Sequence, residues 1–530
     1  MDYVKGDICG GHIQVLEDED AFGTQGRKTR RHVEEREKVT RVLHGKKGLE
    51  LFLQCYQLIL WKQVHWLIKE KGFPSELEIV TRDLWALRLQ NLKTKAGDTS
   101  ESDTQPTFFT STSEESGSAT SYDRRRRPKH RWLGKDIPKL LDTLGLCYLG
   151  MLLLRLPCSL GDIHKWAEDE SIIYIRAIRF IPKEMRSRLP AQGFGALDTR
   201  SVLKPDQLQR AVRELVLYYH REFGILFPAI NSPLLSFKYI RDLALPLDIY
   251  LATKELANIL GYSFAYQLSG VRHRITELPE LRLMSLIVVA LKLVQSFDGR
   301  ERSPKTDNEA ASLVVDWGVW RKSIEEPIFA PGCLPKGGEI NMAECDVFNL
   351  SKSQLDQYMD WYEKMWVDDA EPKMPEHLLR LFPPGRAEVG PTNEGRGSEN
   401  NEGPSHFSTD EQIIGVLRKV QGSLKHQKAF SSENTDPQGH KAQEDIINRP
   451  GSQYKTYRRE DDLPLPARAL YEAAAKAIGI SVKTLIAAIV QAEWGLQMWA
   501  EADRKMAHER ANRAETEGGD HDGSEATNST

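Results

Sequence analysis

In residues 245–298, apolar positions recur at helical spacing in two successive stretches, which predicts two packed helices. In the first half, apolar residues recur at three- and four-residue steps, which predicts an amphipathic helix that ends at Gly261. After Pro279 the chain is apolar nearly all round over 283–291, which predicts a helix enclosed by other helices. A membrane span needs about 20 apolar residues, and Lys292 interrupts this run early. We therefore expect a buried central helix ringed by amphipathic ones.

A second set of apolar periodicities precedes residue 190 and predicts another bundle. Residues 49–71 and 75–92 each carry a continuous apolar face at helical spacing. The run from Leu140 to Leu153 is strongly apolar and closes at Pro157, so we expect it to be the buried centre of this bundle. Because strand-like alternation is scarce along the chain, the predicted fold class is all-α.

Composition shifts divide the chain into six predicted regions. They are an arm over 1–44, a first repeat over 45–190 with a disordered insert at 93–131, a second repeat over 200–370, a linker over 371–462, terminal helices over 463–515 and a disordered end over 516–530. A helix over 205–223 is assigned to the second repeat, and the helix at 350–366 is interpreted as its closing element.

The region after residue 370 contains two further helical patterns. Ser408 and Glu411 form a capping-box pair before an amphipathic stretch, and such an isolated helix is expected to dock on a partner or on the core. Residues 473–489 imitate a helix-turn-helix with Gly479 in the turn. The second helix has only Lys483 as a base, so a hydrophobic capping or subunit-docking hairpin is favoured over a DNA-reading element.

Composition adds limits on the kind of protein. The 530 residues have room for about three or four domains, and the net charge of −4 requires any polyanion-binding surface to arise from local clustering. Six dispersed cysteines without a C-x-x-C pair, and no signal peptide, indicate a reducing compartment and a soluble protein without a disulfide framework.

Local clusters supply the candidate binding residues. The basic ones are Arg27, Lys28, Arg30 and Arg31, then Arg124, Arg125, Arg126, Arg127, Lys129 and Arg131, then Arg272 and Arg274. The first cluster is either a solvated tail or a phosphate-neutralising arm; the second is a nuclear import signal, a phosphate contact or a solvated run; the third is a phosphate contact or an ordinary polar loop.

Metal-ligating residue types are sparse. Cys9 and His12 lie three residues apart, but a structural zinc site needs four ligands and no other pair lies nearby. His164 is isolated from other ligand types, which favours a packing or surface role. Phosphate-binding glycine loops, H-E-x-x-H and G-x-S-x-G are absent from the sequence, which weakens the case for an enzyme.

Four phrases of the sequence resemble one family, the transcription factor IIB-like subunit of the fungal RNA polymerase I core factor. They are EDEDAFGTQG, LELFLQCYQLIL, SLGDIHKWAEDESIIYIRAIRFIP and LPLDIYLATKELA, and the resemblance covers most of residues 1–370. It implies two cyclin-like five-helix repeats and an N-terminal arm in the polymerase cleft. It also implies an N-terminal zinc ribbon, of which Cys9 and His12 would be the remnant, with two of the four zinc ligands missing.

The resemblance also implies a function and partners. The family member would bind the ribosomal DNA core promoter with two other core-factor subunits, cooperate with the TATA-binding protein and recruit RNA polymerase I in the nucleus and nucleolus. No catalytic residue, membrane contact or small-molecule substrate is expected. The alternative from another class is a cyclin-like regulatory subunit of a protein kinase, which would bind its kinase without DNA.

Overall fold

The computed structural model describes most of the two repeats and the terminal helices. It covers residues 42–98, 137–268, 275–366, 409–427 and 449–518, except positions 296, 298–301, 303, 305, 307–308, 326–332, 335–336, 343 and 453. The α-helices in these ranges are α1 Gly45–Lys71, α2 Glu76–Asp98, α3 Leu141–Leu153, α4 Leu160–Glu168, α5 Lys183–Arg188, α6 Ala191–Leu197, α7 Gln207–Phe223, α8 Ser232–Asp242, α9 Asp248–Leu260, α10 Pro279–Val294, α11 Trp317–Glu325, α12 Glu344–Val347, α13 Lys352–Trp366, α14 Thr409–Gly422, α15 Leu465–Ile478 and α16 Val482–Gly518.

The remaining regular structure in the described ranges is short. Five 3₁₀ turns cover Ala177–Phe180, Ile275–Glu277, Ala310–Ser312, Glu339–Asn341 and Glu460–Asp462, and the two-residue strands β1 Leu313–Val314 and β2 Lys425–His426 pair antiparallel. The predicted all-α class is therefore confirmed. Helix α2 continues through Asp98, beyond the predicted start of the insert at residue 93, and residues 99–131 of that insert lie outside the described residues.

The first bundle is built around α3, as its apolar sequence predicts. Eleven of the 13 residues of α3 are buried, because α1, α2, α4 and α7 pack around it. Helix α7, which the sequence analysis assigned to the second repeat, packs chiefly on α3. Its buried face, with Leu208, Val212 and Leu215, therefore lies against the central helix of the first bundle.

The second bundle is built around α10. Thirteen of its 16 residues are buried, and α8, α9, α15 and α16 pack around it. The predicted central helix over 283–291 is thus confirmed. Both bundles belong to one compact unit that begins at Leu43, and their buried residues form one continuous hydrophobic core.

The helix that closes the second bundle differs from the sequence prediction. Helix α13, which was expected to close it, has no buried residue and instead contacts the first bundle, where Trp361 Nε1 donates to Glu170 at 3.0 Å. The terminal helices α15 and α16 cover α10 in its place, so the hairpin caps the bundle. Each of these helices carries apolar residues at helical spacing, and only the contacts decide which one docks.

Helix α14 docks back on the core, which was one of its two predicted fates. It packs on α8 and α11, and Val420 is buried there. The strand pair continues the contact, because β2 after α14 pairs with β1 before α11. Among the described helices, no single one is long and apolar enough to span a membrane; the bent pair α15–α16 meets the criteria of length and composition only when both helices are counted together.

Truncation tests whether the terminal hairpin belongs to the core. A chain ending at residue 462 loses more than six buried apolar side chains that cover α10. Burial of each large one among them contributes about 1.5–3 kcal/mol to the free energy of folding. We expect the second bundle to unfold, because typical domain stability is only about 5–15 kcal/mol. The measurement is circular dichroism melting with limited proteolysis.

A matched truncation provides the control. Within positions 482–513 of α16, where burial is described, a chain ending at residue 500 keeps every buried residue, the last of which is Glu493. Its melting temperature is expected to remain within a few degrees of the full-length value, since residues 501–513 are all exposed. Equal melting of both truncated chains and the full-length chain would show that α15 and α16 do not complete the bundle.

Candidate scaffold and nucleic-acid interface

A fully buried carboxylate joins the two bundles. Glu280 lies in the first turn of α10, accepts a 2.7 Å hydrogen bond from the Tyr148 hydroxyl of α3 and accepts the backbone N–H of Leu160 at 3.1 and 3.2 Å. Gln209 of α7 donates its amide to the Ile478 carbonyl at 3.1 Å and lies 3.5 Å from Glu280 Oε2. We call Glu280, Tyr148, Leu160 and Gln209 the Glu280 junction.

Local sequence explains why α4 meets Glu280 with a free N–H. Ser159 is the N-cap of α4 and forms a capping box with Asp162, which leaves the adjacent N–H of Leu160 available to an acceptor outside the helix. Lys238 of α8 pairs with Asp162 and links the second bundle to the same helix end. The N-terminus of α4 also favours a nearby negative charge.

The same helix end approaches the terminal hairpin closely. A Cβ atom placed on Gly161 would lie 1.9 Å from the carbonyl oxygen of Ala477, so only glycine permits this contact between α4 and α15. At the turn after α15, Gly479 has φ +64° and packs against His164. The isolated histidine therefore has a packing role, as the sequence analysis favoured; it is 8% exposed.

A second polar contact fixes the start of α16. Asp206, with φ +67°, accepts the backbone N–H of Ser481 at 3.1 Å and hydrogen bonds from the hydroxyls of Ser481 and Thr484 at 2.9 and 3.2 Å. Its own N–H donates to the Gly479 carbonyl at 3.2 Å. Residues preceding α7 thus cap the helix that closes the second bundle, and the N-terminal turn of α16 is held against the body of the protein.

An ion pair deep in the second bundle holds α16 along α10. Lys292 and Glu493 form a buried salt bridge, and the Tyr454 hydroxyl donates to Glu493 at 2.6 Å. The Lys292 ammonium also lies 4.5 and 4.7 Å from the ring centroids of Tyr454 and Tyr457. Burial lowers the pKa of Lys292, and the nearby Glu493 carboxylate opposes that change. Removal of one partner would leave an uncompensated buried charge.

Glycine at position 161 provides a direct test of the contact between α4 and α15. Substitution Gly161→Ala forces the two backbones apart, and we expect the free energy of unfolding to fall by at least about 2 kcal/mol. Urea denaturation measures it. Gly195→Ala is the control, because no atom lies within 4 Å of its Cβ position and alanine is favoured inside α6 by up to about 1 kcal/mol. Equal stability of the two variants would contradict the close approach.

The pH dependence of folding tests Glu280. Burial raises the pKa of Glu280 from near 4.5 to about 7. A raised pKa means that the folded protein holds the proton more tightly, so stability is greatest below pH 4.5 and declines as pH rises to about 7. The decline is on the order of 3 kcal/mol.

Glu280→Gln removes that titration while preserving the side chain's shape. We expect the unfolding free energy of wild type to fall relative to that of the variant as the pH rises from 5 to 8. Urea denaturation across that range measures the difference. A constant difference at all these pH values would show that the carboxyl group does not titrate there.

None of the predicted binding clusters lies within the described residues. All the predicted binding residues lie outside them: Arg27, Lys28, Arg30 and Arg31, then Arg124, Arg125, Arg126, Arg127, Lys129 and Arg131, then Arg272 and Arg274, and the zinc candidates Cys9 and His12. Within the part that the structure describes, no group of three or more His, Cys, Asp or Glu is placed to hold a metal ion. The Glu280 junction escaped the sequence analysis, although a glutamate directly after Pro279 in an otherwise apolar helix was a visible signal.

The fold and the Glu280 junction therefore define the class of protein: two cyclin-like helical bundles joined by a buried polar contact. Two domain models match it in the same order, the Rrn7/TAF1B N-terminal cyclin domain over residues 56–183 and the Rrn7/TAF1B C-terminal cyclin domain over residues 201–366. Together they span more than half of the chain. The protein belongs to the Rrn7/TAF1B family.

Individual relatives agree with this assignment. The chain is 25% identical to the RNA polymerase I-specific transcription initiation factor rrn7 of Schizosaccharomyces pombe, over 80% of this chain and 83% of that protein. It is 24% identical to the corresponding RRN7 of Saccharomyces cerevisiae, over 61% of this chain and 57% of that protein. The crystal structure of S. cerevisiae core factor contains a chain with the same fold, with a TM-score of 0.51 and 17% identity, covering 86% of this chain and 99% of that one.

Proposed function

We propose that this protein is an initiation factor for RNA polymerase I and acts as a core-factor subunit. The observation that carries the proposal is the pair of cyclin-like bundles, matched in order by both Rrn7/TAF1B domains. The relatives are named as polymerase I initiation factors, which supports the same role here. The protein would act in the nucleus, and at the ribosomal DNA in the nucleolus.

The proposed role is that of a scaffold. The fused bundles would bind the ribosomal DNA core promoter together with two other core-factor subunits and the TATA-binding protein, and would recruit RNA polymerase I. Such a role depends on holding several partners in fixed positions, and the Glu280 junction supplies a fixed relation between the bundles. The proposal assigns no catalytic step, small-molecule substrate or membrane contact to the chain.

The predicted basic clusters would serve this role through phosphate contacts. Arg27, Lys28, Arg30 and Arg31 would line an arm near melted DNA, and residues 124–131 would act in nuclear import or bind phosphates. Arg272 and Arg274 would contact DNA from the loop before α10. Zinc has no step in the proposal, because Cys9 and His12 provide only two of the four ligands that a structural site needs.

Affinity purification with mass spectrometry tests the proposal against its alternative. We expect the tagged full-length chain to recover RNA polymerase I subunits and to crosslink to core-promoter DNA. Recovery of a protein kinase without DNA would instead support the cyclin-like regulatory subunit and would overturn the proposed function.

The N-terminal cluster has a separate expected effect. Replacing Arg27, Lys28, Arg30 and Arg31 by Gln should weaken open-complex formation more than promoter binding, because an arm in the polymerase cleft acts after recruitment. Permanganate footprinting of melted DNA and a promoter-binding assay measure the two steps. Equal losses in both assays would count against a role of the arm at the melted DNA.

A further inference from the structure

A line of basic side chains outside the predicted clusters follows the surface of the first bundle. Residues 176–188 contain five Arg or Lys and one Glu, in a protein whose net charge is −4. The segment includes α5, of which no residue is buried. Lys183 and Arg188 of this segment face solvent, whereas its other three bases are half-buried, and the mechanism proposed above uses none of them.

Backbone and side-chain contacts place this segment along α1. The Lys62 ammonium donates to the Phe180 carbonyl at 2.7 Å, and the N–H of Leu43 donates to the Arg188 carbonyl at 2.9 Å. One end of the segment thus lies beside Lys62 and the other beside the start of α1. Lys46 and Lys47 are exposed at that start, and the first turn of α1 has no acidic residue.

We define the basic strip as Lys46, Lys47, Lys62, Arg179, Lys183, Arg186 and Arg188. Lys47 and Lys62 are 15 residues apart on one side of α1, which corresponds to about 22 Å. A duplex carries one phosphate charge per roughly 1.7 Å of its axis, so that length faces about 13 phosphates, shared between its two sides. Glu50 and Glu184 are the exposed acids within the same segments, and the bases outnumber them.

We propose that the basic strip binds the phosphate backbone of duplex DNA, and this rests on the proposed function. The strip is continuous in sequence with the basic arm, since residues 27–47 contain nine Arg or Lys and three Glu. The strip would bind without reading sequence, because phosphates carry no base information.

Two features favour a duplex over other anionic partners. Lysine is depleted from protein–protein interfaces, whereas four of the seven bases of the strip are lysines. Single-stranded DNA is bound by stacking on exposed aromatic faces. Two exposed aromatic residues lie beside the strip, and each already has a neighbour on its ring: the Lys62 ammonium lies 6.0 Å over the Phe180 centroid, and Trp61 stacks on His65.

The salt dependence of DNA binding tests the strip. The variant combines Lys46→Gln, Lys47→Gln, Lys183→Gln and Arg188→Gln in the full-length chain, all at exposed positions. We expect the slope of log Kobs against log salt to fall by about 3 to 4, with at least about a tenfold loss of affinity near 100 mM salt. The loss should be the same on promoter and unrelated duplexes, as measured by fluorescence anisotropy.

The control variant removes the same charge elsewhere. It combines Lys254→Gln, Lys322→Gln, Lys352→Gln and Lys483→Gln, which are exposed outside the first bundle. We expect its slope to equal that of wild type, and both variants to melt like wild type. The pairs Lys46→Gln with Lys47→Gln, and Lys183→Gln with Arg188→Gln, should each produce about half of the full effect, so misfolding of one variant leaves the other as a test.

The outcomes separate the strip from the proposed function. An unchanged slope of log Kobs against log salt in the strip variant, or an equal fall in the control variant, overturns the proposal that the strip binds duplex DNA. Loss of polymerase recovery with DNA binding intact means that the strip binds an acidic protein surface, which also overturns it. If wild type shows no preference for the promoter and recovers no polymerase, but the strip variant lowers the slope, the proposed function fails and the strip stands. Failure of wild type to bind any duplex overturns both.

Discussion

The structure depends on one buried carboxyl group that neither bundle satisfies alone. Glu280 is fully excluded from solvent and takes its hydrogen bonds from Tyr148 and Leu160, both of the first bundle. Burying an unpartnered carboxyl costs several kcal/mol, so separating the bundles without admitting water there is strongly unfavourable. The apolar core supplies most of the favourable free energy, but this group fixes which surfaces of the two bundles face each other.

The terminal hairpin extends that constraint across the molecule. Gly161 lets α4 approach α15, Gln209 binds the end of α15, and Asp206 caps α16. Each contact joins an element of the first bundle to helices that close the second. Contacts between residues 161–209 and residues 477–484 therefore help to hold the two bundles together. The C-terminal cyclin domain model stops at residue 366, although the helices that cover α10 come about 100 residues later.

Surface charge and surface apolarity are distributed differently on the molecule. The basic strip follows the first bundle, whereas α16 extends beyond the second with Trp494, Met498 and Met506 exposed. These two surfaces therefore differ in chemistry. The clusters that the sequence analysis singled out lie outside the described residues.

The sequence by itself determined the helical class, the two central helices and the family, because apolar periodicity and short phrases are local properties. It predicted that 140–153 and 283–291 would be enclosed, and both are. It could not determine which helix encloses them. Both α13 and α16 carry apolar residues at helical spacing, and the pattern of α7 does not show which bundle it contacts. Only the tertiary structure decided, because the choice depends on distant partners such as Ala477 against Gly161 and Ser481 against Asp206, whose pairing leaves no periodic trace in the chain.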